Sequence, residues 1–199
     1  VTHIVRVQHG SFDVRSVHYF TAPAKEAFSS HGKASVVAQQ SYHRALQARY
    51  PAPMFEMTLG THSFDRAGSL RPRYVAGQPC DKSDRVRVWD LEEKQTDVNL
   101  ALAMYRRCCR GSCEQVVVCS NDSDVEPVLA AIREDFPQIQ IGVITPAAPD
   151  QADRRFSRSL ARRAHWVRRH ITNEELAASQ LPHQVPTNKA PVKKPEHWL

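Results

Sequence analysis

Two short acidic stretches carry the residues best suited to chemistry. The first is Glu92-Glu93-Lys94-Gln95-Thr96-Asp97-Val98-Asn99, and the second is Ser120-Asn121-Asp122-Ser123-Asp124. Three carboxylates brought to one place repel each other unless a cation neutralises them. Hard oxygen donors with room for water suit Mg²⁺ or Mn²⁺. A metal-bound water at such a site can attack a phosphodiester, with the metal taking up charge in the transition state. On this reading Asp97, Asp122 and Asp124 are the catalytic and metal-ligating residues. Glu93, Asn99, Ser120 and Asn121 support them by orienting ligands or the scissile phosphate.

Each stretch also has a plainer use. Thr96 reads as a helix N-cap, and Asp97 falls in a first turn where the helix dipole favours a carboxylate. Ser-Asn-Asp-Ser-Asp suits a turn, and Asp124 could cap the helix after it. What raises both above that reading is the elements that place them. Gln115–Ser120 is a β-branched run of the kind found in a strand buried on both faces of a parallel sheet. The second cluster follows the carboxyl end of that strand, where open α/β sheets bind ligands. The first cluster opens the helix leading into the same strand. Crossover helices run antiparallel to their strands, so the two clusters share one rim although Asp97 and Asp122 are 25 positions apart.

The rest of the chain fits that frame. Asp13–Ala22 reads as a strand, Ala34–Tyr50 as a helix ended by Pro51 and Pro53, and Phe55–Phe64 as a strand. Residues 65–84 read as a long loop and 86–91 as a short strand. A helix from Thr96 to about Cys109 is closed by Gly111. A second helix, Val125–Asp135, has Val128, Leu129 and Ile132 inward. Ile139–Thr145 is a further strand. Phe156–Ile171 reads as a last helix with Leu160, Ala164 and Val167 as its apolar stripe and Trp166 in the core. The alternation from residue 86 onward predicts an α/β fold with a mainly parallel sheet flanked by helices. From Pro182 the chain is rich in Pro and Lys, a docked or flexible tail anchored at most by Trp198.

Composition narrows the function classes. The chain has 199 residues, 41% hydrophobic and 24% charged, in the ordinary globular range. It has no apolar run long enough for a membrane span and no signal-like start, so the expected location is cytoplasmic. Five cysteines and ten histidines form no CxxC, HxH or HExxH pattern. The cysteines read as reduced thiols. The net charge of +6 is concentrated between Arg154 and His170, which hold seven arginines and no acidic residue. A basic block beside an acidic site suits a polyanion, and Arg154, Arg155, Arg158, Arg162 and Arg163 are the candidate RNA contacts. The same arginines could instead pair with Glu126, Glu134 and Asp135 on the neighbouring helix. The sequence leaves the oligomeric state open, a homo-oligomer included.

The stretch Glu93-Lys94-Gln95-Thr96-Asp97-Val98-Asn99-Leu100-Ala101, then Val116 to Asp124 and Pro127, resembles the NYN domain family. This family is LabA-like and lies in the PIN-like nuclease superfamily. Its members carry E-K-x-x-D-V-N-L-A and S-x-D-S-D-x-x-P at about this separation. Tyr19-Phe20-Thr21-Ala22 resembles the family's second strand, and Ala178-Ser179-Gln180-Leu181-Pro182 an ending seen in one bacterial subgroup. The resemblance implies a Rossmann-like PIN-type three-layer sandwich over residues 1–181, with 182–199 as a C-terminal tail. It further implies a Mg²⁺- or Mn²⁺-dependent endoribonuclease with RNA as partner. One departure stands out. The family's first strand, ending D-G-x-N, has no match here, since Gly10-Ser11-Phe12-Asp13 does not fit it. The expectation is an N-terminally incomplete domain with an unpaired interior sheet edge. Two alternatives follow. One is a catalytically inactive RNA- or protein-binding module. The other is a pyridine-ring monooxygenase using flavin and NADH, as assigned to some relatives of the family. Against the latter stand the lack of G-x-G-x-x-G and only seven glycines.

Overall fold

The computed structural model describes residues 2–8, 12–147 and 156–198, without the side chains of residues 7 and 197. It is a mixed α/β structure. Helix α1 (Thr2–Gln8) precedes strand β1 (Val17–Thr21), helix α2 (Lys33–Arg49) and strand β2 (Phe55–Leu59). β1 and β2 pair in parallel, Val17 opposite Phe55 through Thr21 opposite Leu59, with α2 as the crossover.

A second parallel sheet holds β7 (Gln115–Cys119), β8 (Gln140–Ile144) and β9 (Trp166–Arg168), in that order. Helix α3 (Thr96–Cys109) leads into β7, α4 (Glu126–Asp135) joins β7 to β8, and α5 (Arg158–Arg163) precedes β9. Both faces of this sheet are covered. Val116, Val118, Ile141 and Val143 pack on one side with Leu129 and Ile132 of α4, Leu160 of α5 and Cys108 of α3. Leu129, Ile132 and Ile141 have no exposed surface at all. Each contributes about 2 kcal/mol by leaving water. On the other side Ile144, with Val117 and Trp166, meets Ile4 and Val5 of α1 and Ile171. The continuous apolar run of β7 therefore has a direct cause, because alternate residues enter different cores.

Among the described residues, no ladder joins β1–β2 to β7–β9. Helix α3 bridges them. It packs against β1, β2 and α4, and Arg107 pairs with Glu56 of β2. The expected strand at 55–64 is two strands. Gly60 breaks it where a side chain has no room: a Cβ there would lie 2.4 Å from Thr96 Oγ1 and 2.7 Å from the Lys94 carbonyl. β3 (Thr61–Phe64) then pairs antiparallel with β6 (Leu91–Lys94).

The segment 65–84, expected as a loop, holds structure. β4 (Ser69–Pro72) pairs antiparallel with β5 (Arg85–Val88), making an exposed two-stranded arm with Tyr74 and Trp89 in solvent. Its polar composition hid it, because neither face of the ribbon is buried.

The expected helix 156–171 is also corrected. It ends at Arg163, and 166–168 form β9 beside β8. Trp166 lies over Gly142, where a Cβ would meet its ring at 2.2 Å. That cross-strand contact and the backbone pairing outweigh the helical spacing of Leu160, Ala164 and Val167. A further helix, α6 (Asn173–Ala178), opens on a capping box between Thr172 and Glu175. The C-terminal segment is docked by more than Trp198. β10 (Gln184–Val185) pairs with β11 (Val192–Lys193), and Val185 and Val192 are buried against Ala45.

Candidate functional site

The acidic clusters do meet at one rim. Thr96 sits against Gly60, just past the carboxyl end of β2, and α3 also packs on residues 123–125 of the turn after β7. Helix α3 is entered through Gln95, whose φ of 74° is left-handed. Gln95, not Thr96, holds the N-cap position, and it makes no side-chain cap bond. Thr96 lies one residue inside the helix, with its hydroxyl oxygen buried and unpartnered. Asp97 follows in the first turn and is exposed.

After β7 the turn is built from its own side chains. Ser120 Oγ accepts the Asp122 N–H at 3.0 Å, and Asp122 Oδ1 accepts the Asp124 N–H at 3.0 Å. Asn121 Oδ1 accepts the Ser157 N–H at 2.7 Å, tying the turn to α5. Asp122 and Asp124 are exposed, as is Glu93 on β6. The carboxyl of Asp97 is raised above its ordinary value, by partial desolvation first and then by the charges of Asp122, Asp124 and Glu93. The three aspartates therefore feel each other through space. Yet among the described residues no three His, Cys, Asp or Glu side chains converge closely enough to hold a metal. Both observations hold, because coulombic influence reaches several ångströms further than coordination. Asn99 donates its backbone N–H to the Gln95 carbonyl, as an ordinary residue of the first turn.

The basic block divides. Arg154 and Arg155 lie outside the described residues. Arg158 and Arg162 are exposed on α5. Arg163 pairs with Glu126 at 2.5 Å, and Arg168 pairs with the buried Glu175 at the same distance. Arg169 lies 4.5 Å from the centre of the Phe156 ring. Part of this block is thus spent on intramolecular contacts, as the charge-pairing reading allowed.

Two histidines read from sequence as unremarkable have definite places. His18 Nε2 shares a 2.9 Å hydrogen bond with Thr58 Oγ1, and its Nδ1 lies 3.9 Å from Glu56. Burial lowers its pKa, against the raising effect of Glu56. His62 on β3 stands opposite Glu93 on β6, with a buried, unpartnered Nδ1. Neither was visible in spacing, since each partner lies across a strand pair.

The fold and rim define a mixed α/β protein with an acidic edge at the carboxyl ends of its parallel strands. Over 187 residues, 92% of its length, the chain is 36% identical to a protein of Pseudomonas putida (strain DSM 28022 / S16). That protein is named 6-hydroxy-3-succinoylpyridine 3-monooxygenase HspA. The chain spans 57% of that relative's length. No protein-family model matches the chain, and no solved structure matches it.

This similarity overturns the nuclease reading. A relative named as a ring monooxygenase conflicts with an endoribonuclease, and with Mg²⁺ or Mn²⁺ as the cofactor. Asp97, Asp122 and Asp124 as metal ligands are withdrawn with it. RNA as partner, with Arg154, Arg155, Arg158, Arg162 and Arg163 as its contacts, gains no support from the similarity. Among the described residues, no helix is long and apolar enough to cross a membrane.

Proposed function

We propose that this chain forms part of a monooxygenase acting on a hydroxypyridine with an anionic side chain. The observation that carries the reading is the 36% identity over 187 residues to the 6-hydroxy-3-succinoylpyridine 3-monooxygenase. In such a ring, position 3 lies para to the hydroxyl at position 6. Removing the hydroxyl proton feeds electron density to the carbon at position 3, which already bears the succinoyl group. The C3–carbonyl bond therefore breaks as the C3–O bond forms. The acyl chain leaves as a carboxylic acid once the resulting ester is hydrolysed, and the reduced nicotinamide converts the second oxygen atom of O₂ to water. The rim offers a group for that proton. Asp97 has a raised proton affinity, and the charges of Asp122 and Asp124 help keep it so. Asp97 is the proposed base, with Asp122 and Asp124 tuning it. Ser120 and Asn121 hold the turn in shape, and Asn99 and Glu93 flank the base. The same negative field directs the substrate's anionic arm away from the rim.

Oxygen insertion of this kind calls for flavin and a reduced nicotinamide. The rim does not fit the phosphates of either. Its turn is Ser120-Asn121-Asp122-Ser123-Asp124, with no glycine to let backbone N–H groups close on a phosphate, and its charges are negative. Cofactor binding is therefore assigned away from this edge.

The finer fold is proposed as the NYN-type PIN sandwich over residues 1–181, with 182–199 appended. Support comes from two parallel units with facing roles. In β1, Val17 and Thr21 bond to the β2 side through Met54 and Gly60. Alternation in a parallel ladder turns the backbone groups of His18 and Phe20 the other way. In β7, Ser120 bonds toward β8 through Ile144, so Val117 and Cys119 face outward. One further extended strand between β1 and β7 would complete the order β2-β1-strand-β7-β8-β9.

The test is direct. The purified chain is given 6-hydroxy-3-succinoylpyridine, NADH, flavin and ¹⁸O₂. Substrate-dependent NADH consumption with one labelled oxygen in the ring product is expected, and is lost in Asp97→Asn. No label in the product would sink the reading.

A further inference from the structure

Away from the rim, at the amino ends of β1 and β2, lies a cavity of about 850 Å³. It is walled by Val17 and Phe55 at the strand starts, Arg49 and Tyr50 at the end of α2, α1, and the docked C-terminal segment. β2 runs from this cavity at Phe55 to the rim side at Leu59. At the usual strand rise, the two regions stand about 13 Å apart along it.

The lining has a definite chemistry. Tyr19, Tyr42, Phe55 and Trp198 supply aromatic surface. Tyr42 meets Trp198 edge-on with centroids 5.7 Å apart, and Tyr19 stacks near Phe55 at 6.5 Å. Arg6, Arg49, Lys193 and Lys194 supply positive charge, and among the described residues no Asp or Glu lines the space. Among the described residues, none of these four cations takes part in a recorded ion pair. Burial, with Tyr19 and Tyr50 nearby, raises the pKa of Tyr42, so its phenol stays a neutral hydrogen-bond donor. The volume falls in the range of small-molecule sites. Flat apolar walls with cations at the edge select a planar ring bearing a negative charge. The rim, with the opposite sign, would repel the same molecule.

We propose that this cavity binds a planar aromatic anion, its ring against the Tyr19–Tyr42–Trp198 walls and its charge met by Arg49 and Lys194. Two sources share that chemistry, a pyridine carboxylate and a flavin phosphate. The binding itself is inferred from the lining, while the choice between these two sources rests on the monooxygenase reading.

The experiment uses the full chain and three probes. These are 6-hydroxypyridine-3-carboxylate by calorimetry, flavin mononucleotide by fluorescence quenching, and uncharged riboflavin as the reference. The parent chain is compared with Arg49→Gln, Lys194→Gln and, on the remote arm, Arg73→Gln. Circular dichroism checks that all are folded. Expected is binding of at least one anion, weakened about tenfold or more by Arg49→Gln or Lys194→Gln and unchanged by Arg73→Gln. Binding of the pyridine carboxylate alone assigns the cavity to substrate, and of the flavin phosphate alone to cofactor. Three results overturn the proposal: neither anion binds, the two cavity variants bind like the parent, or riboflavin binds as tightly as its phosphate. None of these depends on turnover, so a silent oxygenase assay leaves the cavity result intact.

Discussion

At Asp97, proton affinity is set first by partial burial and then by neighbouring carboxylates, two of them remote in the chain. Partial desolvation and the charges of Asp122, Asp124 and Glu93 raise its pKa. A raised carboxyl pKa means that the ionised form is penalised in the fold. The penalty is present above the folded-state pKa and is withdrawn as pH falls toward the ordinary value of 3.8. Asp97→Asn should therefore melt above the parent at pH 7, by about 2 °C for like-charge repulsion at an exposed site. The two curves should converge below pH 3.8, and calorimetric melting across that range checks it. A variant that melts below the parent at pH 7 would show that Asp97 stabilises the rim. The sequence made these carboxylates legible as a set because acidic residues gathered at a strand end and a helix start. Their reading as metal ligands is withdrawn with Mg²⁺ and Mn²⁺. Spacing places groups on one rim, but it does not say whether they converge on a cation or tune one proton. Thr96 was misread for a local reason: the left-handed Gln95 lets the chain turn into α3 without a side-chain cap.

At the scale of elements, β7, β8 and α4 were readable because their burial is one-sided or complete, and α2 and α3 from their stop signals at Pro51 and Gly111, although Val37, Val98 and Leu102 stand exposed. The last helix was not. Leu160, Ala164 and Val167 all reach the same core, but Leu160 does so from a helix and Val167 from a strand. Helical spacing alone cannot separate those routes. The signal available was Gly142, in the middle of an apolar strand. Its lack of a side chain makes room for the indole of Trp166, which requires a strand beside it. Gly142→Ala should cost about 2 kcal/mol by overpacking, read as a lower urea midpoint with unchanged slope. A stability equal to the parent's would mean that the Trp166 ring does not rest there.

For the whole molecule, the division into two parallel units sets what can be measured. The outward N–H groups of His18 and Phe20 on β1 have no ladder partner among the described residues, while Tyr19 faces β2. In this chain the amides of His18 and Phe20 should exchange with solvent at least about tenfold faster than that of Tyr19, since exchange follows local opening. Hydrogen exchange read by NMR tests this. Equal protection at all three would show that the β1 edge is already covered. The unpaired edge was expected only from the departure from the resembled family's first strand, not from the strands themselves. A gap between sheets leaves no mark on the strands beside it, because Val17–Thr21 and Gln115–Cys119 carry the same apolar pattern with or without a neighbour.

The exposed arm between β3 and β6 has a consequence for the chain's covalent continuity. A single trypsin cut after Lys82, at its solvent-facing tip, would leave β1, α2 and β2 on one fragment and α3 with β7–β9 on the other. The strand pairs of the arm and the packing of α3 on β1 and β2 still connect them. The nicked protein should run as two bands on a denaturing gel and elute as one particle on a sizing column. The peptide linkage through the arm would then be dispensable once the chain has folded, and the two pieces, expressed separately, should find each other as halves of a split protein.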